Sequence, residues 1–230
     1  MDRLITRRKL LLGLAATTAL AGCNNRVAST FLAGMGRWND SVGALLFSEN
    51  RLAPEEPASA LTPEQDFPSY FISDMIPFAP ADWALKVGGL VAQPSVFSQE
   101  QLKKMPQTSM RIRHHCVEGW SAVAEWHGVQ VRELAKVVGM SREAKFVEFR
   151  SFDNDYFSSW DIDSSLHPQT ILAYGMNGHA LTPEHGAPLR LYSPVKLGYK
   201  SVKYLTEVNF LPTRTGGYWE DQGYDWYAGV

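Results

Sequence analysis

The sequence predicts an α+β fold, with a mixed or antiparallel β-sheet core and short helices at its periphery. Segments with the two-residue alternation of strands and short segments with helix-capping patterns follow one another irregularly, without the regular spacing of βα units. The 230 residues are 45% hydrophobic and 12% aromatic, which is enough to build a large core. The chain has no internal repeat and no long low-complexity run. These observations favour a single large globular domain.

The first predicted elements of this domain are a strand and a short helix. The segment Trp83–Val91 alternates in polarity and reads as a strand. Ser98 and Gln101 have the spacing of a capping box, in which each side chain bonds the backbone N–H of the other residue. A helix is therefore expected from about Gln99 to Met105, and Pro106 stops it.

The segment "TSMRIRHHC" predicts a strand with one buried and one exposed face. Two sets of residues alternate along it: Met110, Ile112 and His114 against Arg111, Arg113 and His115. Cys116 follows at the end of this strand, a place from which loops present chemical groups on a rigid frame. Further along, "VRELAKVVG" predicts a helix closed by Gly139, and "AKFVEFRSFD", "PLRLYSP" and "KSVKYLTEVNF" predict strands.

The N-terminus has the features of an export signal. Residues 1–22 combine a basic region, which contains the pair Arg7 and Arg8, with an apolar run from Leu10 to Leu20 that is short for a membrane span. The segment "TRRKLLL" resembles a twin-arginine signal, and "LAGC" resembles a lipoprotein processing box with Cys23 as the acylated residue. An ordinary secretory signal is the alternative interpretation. We expect a periplasmic protein that is anchored to the membrane through Cys23.

Residues 23–68 predict an extended arm or linker, because they are mixed in character and become rich in Pro, Glu and Ser towards their end. The domain proper is expected to occupy residues 69–230. Removal of residues 1–22 would take away four basic residues and one acidic residue, so the formal net charge would change from −2 to −5. Nucleic acid is therefore not an expected partner.

The chain has only two cysteines, Cys23 and Cys116, so acylation of the first would leave the second as a free thiol in an oxidising compartment. Cys116 could be a nucleophile, but side chains of adjacent strand residues diverge and rarely form a dyad. It could be a zinc ligand, but no further donors stand at zinc-binding spacing. It could be a soft ligand to a metal that a cofactor holds, or simply a small buried apolar residue.

Three segments carry a family resemblance: "RHHCVEGWSAVAEWHGVQVREL", "DSSLHPQTILAYGMNGHALTPEHGAPLRLYSPVKLGYKSVKYLTEVNF" and "GYWEDQGYDWYA". Together they resemble the sulfite-oxidase-like molybdopterin oxidoreductases, most closely the exported branch that includes the periplasmic methionine-sulfoxide reductase catalytic subunits. The resemblance covers about Trp83 to Tyr227. It implies the sulfite-oxidase-like molybdopterin-binding fold and a molybdenum–molybdopterin cofactor.

The resemblance also implies roles for individual residues. Cys116 matches the family's molybdenum ligand, and His114 and His115 stand next to it as candidate catalytic residues. The positions that match or neighbour cofactor-binding positions of the family are Tyr70, Ser151, His185, Arg190, Ser201, Val202 and Lys203. In this comparison Arg190 and Lys203 supply positive charge to the cofactor's phosphate. A related methionine-sulfoxide reductase has Asn at the position of His185, and relatives have an Asn-containing loop where this chain has Tyr70.

The resemblance predicts an enzyme that transfers two electrons and an oxygen atom at a Cys-ligated Mo-oxo centre, with a sulfoxide or another small oxide as substrate. A sulfite-type oxidase is one alternative, and it would require clustered cations, for which Arg111, Arg113 and Arg150 are the candidates. A non-catalytic module without the metal and a cysteine-dependent hydrolase are the others. Because the chain has no CxxCH motif and no cysteine cluster, we expect a separate electron-transfer partner, such as a membrane cytochrome or a periplasmic carrier.

Overall fold

The computed structural model of the protein describes residues 26–230, and within its first helix it describes side chains from Gly34 onward. The predicted leader 1–22 and Cys23 lie outside the described residues. The helices are α1 (Arg26–Leu46), α2 (Gln99–Lys103), α3 (Val131–Val137) and α4 (Ile162–Ser165). None of the helices in this described part has both the length and the apolar character needed to cross a membrane.

The described residues contain ten strands, which form two sheets of five strands each. The strands are β1 (Leu85–Gly89), β2 (Ser95–Phe97), β3 (Gln107–His115), β4 (Ser121–Gln130), β5 (Phe146–Ser151), β6 (Phe157–Asp161), β7 (Ile171–Met176), β8 (His179–Ala180), β9 (Arg190–Tyr192) and β10 (Leu205–Leu211). The first sheet has the order β2-β1-β10-β5-β6, and the second has β3-β4-β7-β8, with β9 also paired to β7. In the described part of the chain only the β1–β10 pairing is parallel, and the predicted mixed sheet core is confirmed.

The local patterns that predicted the early elements are present in the structure. Ser98 Oγ accepts from the Gln101 N–H at 3.2 Å, and Gln101 Oε1 accepts from the Ser98 N–H at 2.8 Å, which closes the predicted capping box. Along β3 the predicted inner residues are buried, whereas its basic residues are partly exposed. Gly139 follows α3 with φ +65°, a conformation that favours glycine.

The predicted extended arm over residues 23–68 is wrong for Arg26–Leu46, which form α1. The intervening glycines and polar residues of this segment hid its helical character. Gly43–Val230 form one compact unit, which includes residues of the predicted arm as well as the predicted domain.

The rest of the arm belongs to this unit because its backbone forms hydrogen bonds with strands of the second sheet. The Glu56 N–H donates to the Arg111 carbonyl at 2.8 Å, and the Thr62 N–H donates to the Val123 carbonyl at 2.9 Å. Residues 51–67 therefore lie along β3 and β4, and Phe67 at the end of this segment lines the same cleft as Cys116.

The predicted C-terminal strand over "KSVKYLTEVNF" begins later than expected, at Leu205. The residues before it form a 3-10 turn, Gly198–Lys200, and a loop in which Tyr204 has φ +55°. Burial explains the difference. The polar side chains of Lys200, Ser201 and Lys203 all point into the protein, whereas the side chains of a strand would alternate between core and solvent.

Candidate active site

A cleft opens where the ends of β3, β5 and β9 meet the loop before β10. Its lining comes from both sheets, from the end of the arm and from the C-terminal segment. It includes seven of the predicted site residues: Tyr70, His114, Cys116, Ser151, Arg190, Ser201 and Lys203. The fold therefore brings together residues that are more than 130 positions apart in the chain.

A tight hairpin loop between β3 and β4 presents Cys116 to this cleft. The Cys116 N–H donates to the Trp120 carbonyl at 3.0 Å, and the Gly119 N–H donates to the Cys116 carbonyl at 3.1 Å. Gly119 has φ +92°, which the loop requires and a side chain would disfavour. The thiol is partly exposed, and among the described residues it has no disulfide partner.

A carboxylate accompanies the thiol. Glu118 Oε2 lies 3.8 Å from Cys116 Sγ and also accepts from Trp120 Nε1 at 2.9 Å. Burial, together with the nearby Glu118 charge, raises the pKa of the Cys116 thiol. A nucleophilic cysteine needs the opposite shift, because the thiolate is the reactive form. The site thus gives no support to a cysteine-dependent hydrolase.

The two histidines before Cys116 point to opposite sides of β3. His114 is buried in the cleft wall, where its ring lies 5.9 Å from Phe67, 5.7 Å from Trp120 and 5.8 Å from Tyr192, between ring centroids. Burial, followed by the Arg190 charge, lowers the pKa of His114 to about 3, so the ring is neutral near pH 7. His115 is exposed and does not line the cleft.

Two buried cations lie deeper in the cleft. Arg190 Nη1 donates to the His185 carbonyl at 3.0 Å, and Lys203 Nζ donates to the Glu184 carbonyl at 2.6 Å. Neither residue forms an ion pair with a carboxylate in the described part of the chain. Burial lowers the pKa of Arg190 to about 10 and lowers the pKa of Lys203 well below its usual value. Two unneutralised cations at this depth are costly unless an anion joins them.

Orphaned polar atoms beside these cations point to the same kind of ligand. Arg190 Nε and Ser201 Oγ are buried, and neither has a hydrogen-bond partner within residues 26–230. Nearby, Ser151 Oγ accepts from the Asp153 N–H at 2.9 Å and also lines the cleft. A phosphate offers several acceptor oxygens and two negative charges, so it would satisfy the guanidinium, the ammonium and the hydroxyl together. The residues present therefore fit the phosphate end of a molybdopterin.

Three predicted site residues have side chains outside the cleft lining. His115 is exposed, as described, and the Val202 side chain is fully buried in the core, with its carbonyl accepting from the Leu191 N–H at 2.8 Å. His185 is buried with its ring 5.5 Å from that of Phe67, and its Nδ1 has no hydrogen-bond partner among the described residues. Burial lowers the pKa of His185 to about 4. Any contact of Val202 with a phosphate would have to come from its backbone.

The structure adds functional residues that the sequence analysis missed. Asp153 is buried and accepts from the Ile72 N–H at 2.8 Å and the Ser73 N–H at 3.1 Å, so it holds the loop that carries Tyr70. The further cleft residues not predicted as site residues include Phe67, Glu118, Trp120, Tyr156, Tyr199, Tyr204, Trp219 and Tyr224. The only local signal for Asp153 was its place at the end of a predicted strand, and no local pattern distinguished the cleft aromatics from core aromatics.

No group of three or more His, Cys, Asp and Glu side chains in residues 26–230 could hold a metal ion by itself. A metal bound at Cys116 would therefore take its other ligands from a cofactor.

Comparison with known proteins identifies relatives over most of the chain. The profile of a family described as the oxidoreductase molybdopterin binding domain matches residues 73–219. The chain is 38% identical over 226 residues to a protein of Azospira oryzae whose name describes it as a protein-methionine-sulfoxide reductase subunit, YedZ1, covering 98% of this chain and 86% of that protein. It is 33% identical to the protein-methionine-sulfoxide reductase catalytic subunit MsrP of Campylobacter jejuni, covering 66% of this chain and 58% of that protein.

A solved structure supports the architecture. The sulfane dehydrogenase SoxCD of Paracoccus pantotrophus superimposes with a TM-score of 0.63 at 24% sequence identity, over 72% of this chain and 46% of that chain. At this level of identity the likeness concerns the fold alone, and it confirms the predicted sulfite-oxidase-like α+β fold.

Proposed function

Since the chain belongs to the family of oxidoreductases with a molybdopterin-binding domain, we propose that Cys116 is its protein ligand to molybdenum and that the enzyme reduces sulfoxides. When bound, the cofactor supplies the metal, its dithiolene ligands and the two-electron redox chemistry. The overall reaction consumes a sulfoxide, two electrons and two protons and yields a thioether and water. The surrounding protein residues bind and orient the cofactor and the substrate.

The observation that carries the proposal is the position of Cys116 at the open part of a cleft whose deeper part holds Arg190 and Lys203. A partly exposed sulfur suits a ligand that must leave room for a substrate beside the metal. Buried cations suit the anionic end of the cofactor. The two ends of the cleft thus match the two ends of a molybdopterin that carries a metal.

The charges around the cleft favour a neutral substrate over sulfite. The three arginines that could have formed an oxyanion site are engaged elsewhere: Arg111 pairs with Glu125, Arg113 with Glu56 at 2.8 Å, and Arg150 with Glu148 at 2.7 Å. None of them lines the cleft, whereas the carboxylate of Glu118 does. A dianion approaching Cys116 would meet this negative charge, but a sulfoxide carries no net charge.

The names of the relatives point to methionine sulfoxide in proteins as the substrate. We further propose export by the twin-arginine route, lipid anchoring at Cys23 and delivery of electrons by a membrane cytochrome or a periplasmic carrier. The sequence of residues 1–23 supports the first two. The absence of CxxCH motifs and cysteine clusters from the sequence supports the third.

The first test is cofactor content and turnover. The wild type and Cys116→Ala would be produced in a host that makes molybdopterin, and then assayed for molybdenum, for pterin and for sulfoxide reduction with a reduced viologen dye. We expect near-stoichiometric molybdenum and turnover in the wild type, and loss of both in the variant with pterin retained. A folded wild type that carries molybdenum but reduces no sulfoxide would refute the proposed substrate. Unchanged molybdenum in Cys116→Ala would refute the proposed ligand.

A further inference from the structure

A row of four aromatic rings forms one side of the cleft that holds Cys116. The ring centroids of Tyr70 and Trp219 are 6.1 Å apart, those of Trp219 and Tyr224 are 5.0 Å apart, and those of Tyr224 and Tyr199 are 5.2 Å apart. All four residues line the cleft, and we call them the aromatic wall.

Two rings of the aromatic wall are exposed to solvent, although rings that pack this closely are usually buried. Tyr70 is 61% exposed and Tyr224 is 40% exposed. On the Cys116 loop, Val117 adds another exposed apolar side chain, at 47%. Exposed apolar groups that cluster in this way forgo the stabilisation that burial would give them, and such clusters mark binding sites.

The C-terminal segment holds the wall in place. The buried carboxylate of Glu220 accepts from Ser158 Oγ at 2.6 Å and pairs with the buried Lys200. The Tyr224 N–H donates to the Trp219 carbonyl at 3.1 Å, which closes the loop between the two rings. The wall is thus preorganised, which reduces the entropic cost of binding a ligand against it.

The chemistry of the cleft limits what can bind there. The basic residues of its lining are Arg190 and Lys203, which are buried and fit the cofactor phosphate, so the wall itself offers rings rather than cations. Aromatic faces bind alkyl groups and sulfur atoms well. A dialkyl sulfoxide and its thioether product carry these groups and have no net charge.

We propose that the aromatic wall is the subsite for the alkyl groups of the substrate, and that Trp219 and Tyr224 determine the preference for sulfoxides with longer apolar arms, such as the methionine side chain. This inference rests on the proposed function, because it assigns the substrate-binding part of the same cleft. It predicts that each methylene that packs on the wall improves binding by about two- to fourfold.

The test compares three holoenzyme variants with the wild type. Trp219→Ala and Tyr224→Ala remove parts of the wall, and Trp38→Leu removes a tryptophan that is 69% exposed on α1 and does not line the cleft. The KM and kcat for dimethyl, ethyl methyl and methyl propyl sulfoxide are measured with a reduced viologen dye. Calorimetry measures the Kd of methyl propyl sulfone, which has the same alkyl groups as the last substrate and is not expected to react. Molybdenum and pterin contents are measured for every preparation.

In the wild type and in Trp38→Leu, the KM should fall with each added methylene. In Trp219→Ala and Tyr224→Ala, this dependence should flatten while kcat and cofactor content stay close to wild type, and the sulfone should bind at least fivefold more weakly. An unchanged dependence on alkyl length in both wall variants would overturn the inference, as would unchanged sulfone binding. If the wild type reduces no sulfoxide yet binds the sulfone through the wall, the proposed function fails and the subsite stands.

Discussion

Gly198 lies directly against the imidazole of His114. A Cβ added at Gly198 would be 2.7 Å from His114 Nε2 and 3.0 Å from Cε1, closer than such atoms pack in proteins. The imidazole is also enclosed by Phe67, Trp120 and Tyr192, so it has little room to move. Gly198 therefore fixes the position of the 3-10 turn that precedes Ser201 and Lys203 in the cleft.

Gly198→Ala should disturb the cleft while leaving the fold intact. We expect the free energy of unfolding to fall by about 1–3 kcal/mol, because overpacking of a filled site forces side chains or backbone to shift. Pterin and molybdenum contents should fall at least severalfold. Gly36→Ala is the matched control, since a Cβ at this exposed helical position contacts nothing within 4 Å. Wild-type cofactor content in Gly198→Ala would show that the contact does not position the cleft.

Lys203→Met should have opposite effects on the cofactor-free and the cofactor-loaded protein. Without an anion, the buried ammonium has no carboxylate partner, and we expect its removal to raise the free energy of unfolding of the cofactor-free protein by about 1–3 kcal/mol. Pterin retention after purification should fall tenfold or more. Urea unfolding and pterin fluorescence measure the two effects. Lys86→Met, at a lysine whose side chain is 70% exposed, should change neither.

Local sequence patterns predicted the elements of the fold better than they predicted the cleft. The capping box of Ser98 and the alternation along β3 depend on residues within a few positions of each other, so they can be read from the sequence. The parallel pairing of Lys86 with Glu207 joins residues 121 positions apart, and no local pattern encodes it. Only the family resemblance predicted that Arg190 and Lys203 would belong to the site of Cys116.

The same limit explains the residues whose surroundings the sequence did not predict. His185 matched a family position, and in the structure it ends the 3-10 turn Pro183–His185, with its ring buried 5.5 Å from that of Phe67. No local pattern marks Trp219 and Tyr224 as cleft residues, because aromatic residues are also common in protein cores. Both line the cleft, where the contact of Glu220 with Lys200 holds the C-terminal segment.

Burial of His185 should make the protein less stable in mild acid. Burial, then the charges of Arg190 and Lys203, lower its pKa from 6.5 to about 4, while Glu184 acts weakly in the other direction. As the pH falls below 6.5, the unfolded chain binds a proton at this residue before the folded protein does. The contribution of His185 to the free energy of unfolding is therefore lost progressively between pH 6.5 and 4, and it changes no further below that range.

At pH 5 this effect is worth about 2 kcal/mol for His185. The free energy of unfolding of the cofactor-free protein would be measured with urea at pH 8 and at pH 5. Between these two pH values, His185→Gln should lose about 2 kcal/mol less of it than the wild type loses. Comparison of the two proteins cancels the contribution of every other titrating group. Equal losses in both would mean that His185 is accessible to protons in the folded protein.

The buried pair of Lys200 and Glu220 should position Trp219 without taking part in the chemistry. Lys200→Met leaves a buried carboxylate unpaired, and we expect a loss of about 3–5 kcal/mol in the free energy of unfolding. The double variant Lys200→Met with Glu220→Gln should recover part of this loss. In the double variant, the KM for methyl propyl sulfoxide should rise while kcat stays near wild type. A fall in kcat with an unchanged KM would assign the pair a different role.

The way the cofactor-binding residues come together bears on export. Arg190, Lys203 and Cys116 come together only in the folded chain, so an enzyme loaded with the proposed cofactor in the cytoplasm would have to cross the membrane already folded. This requirement agrees with a twin-arginine signal at Arg7 and Arg8. Replacement of both by lysine keeps the positive charge, and it should leave unprocessed, cofactor-loaded protein in the cytoplasm. Cell fractionation with a molybdenum assay measures this. Normal processing of the double-lysine variant would instead indicate an ordinary secretory signal, which requires only positive charge.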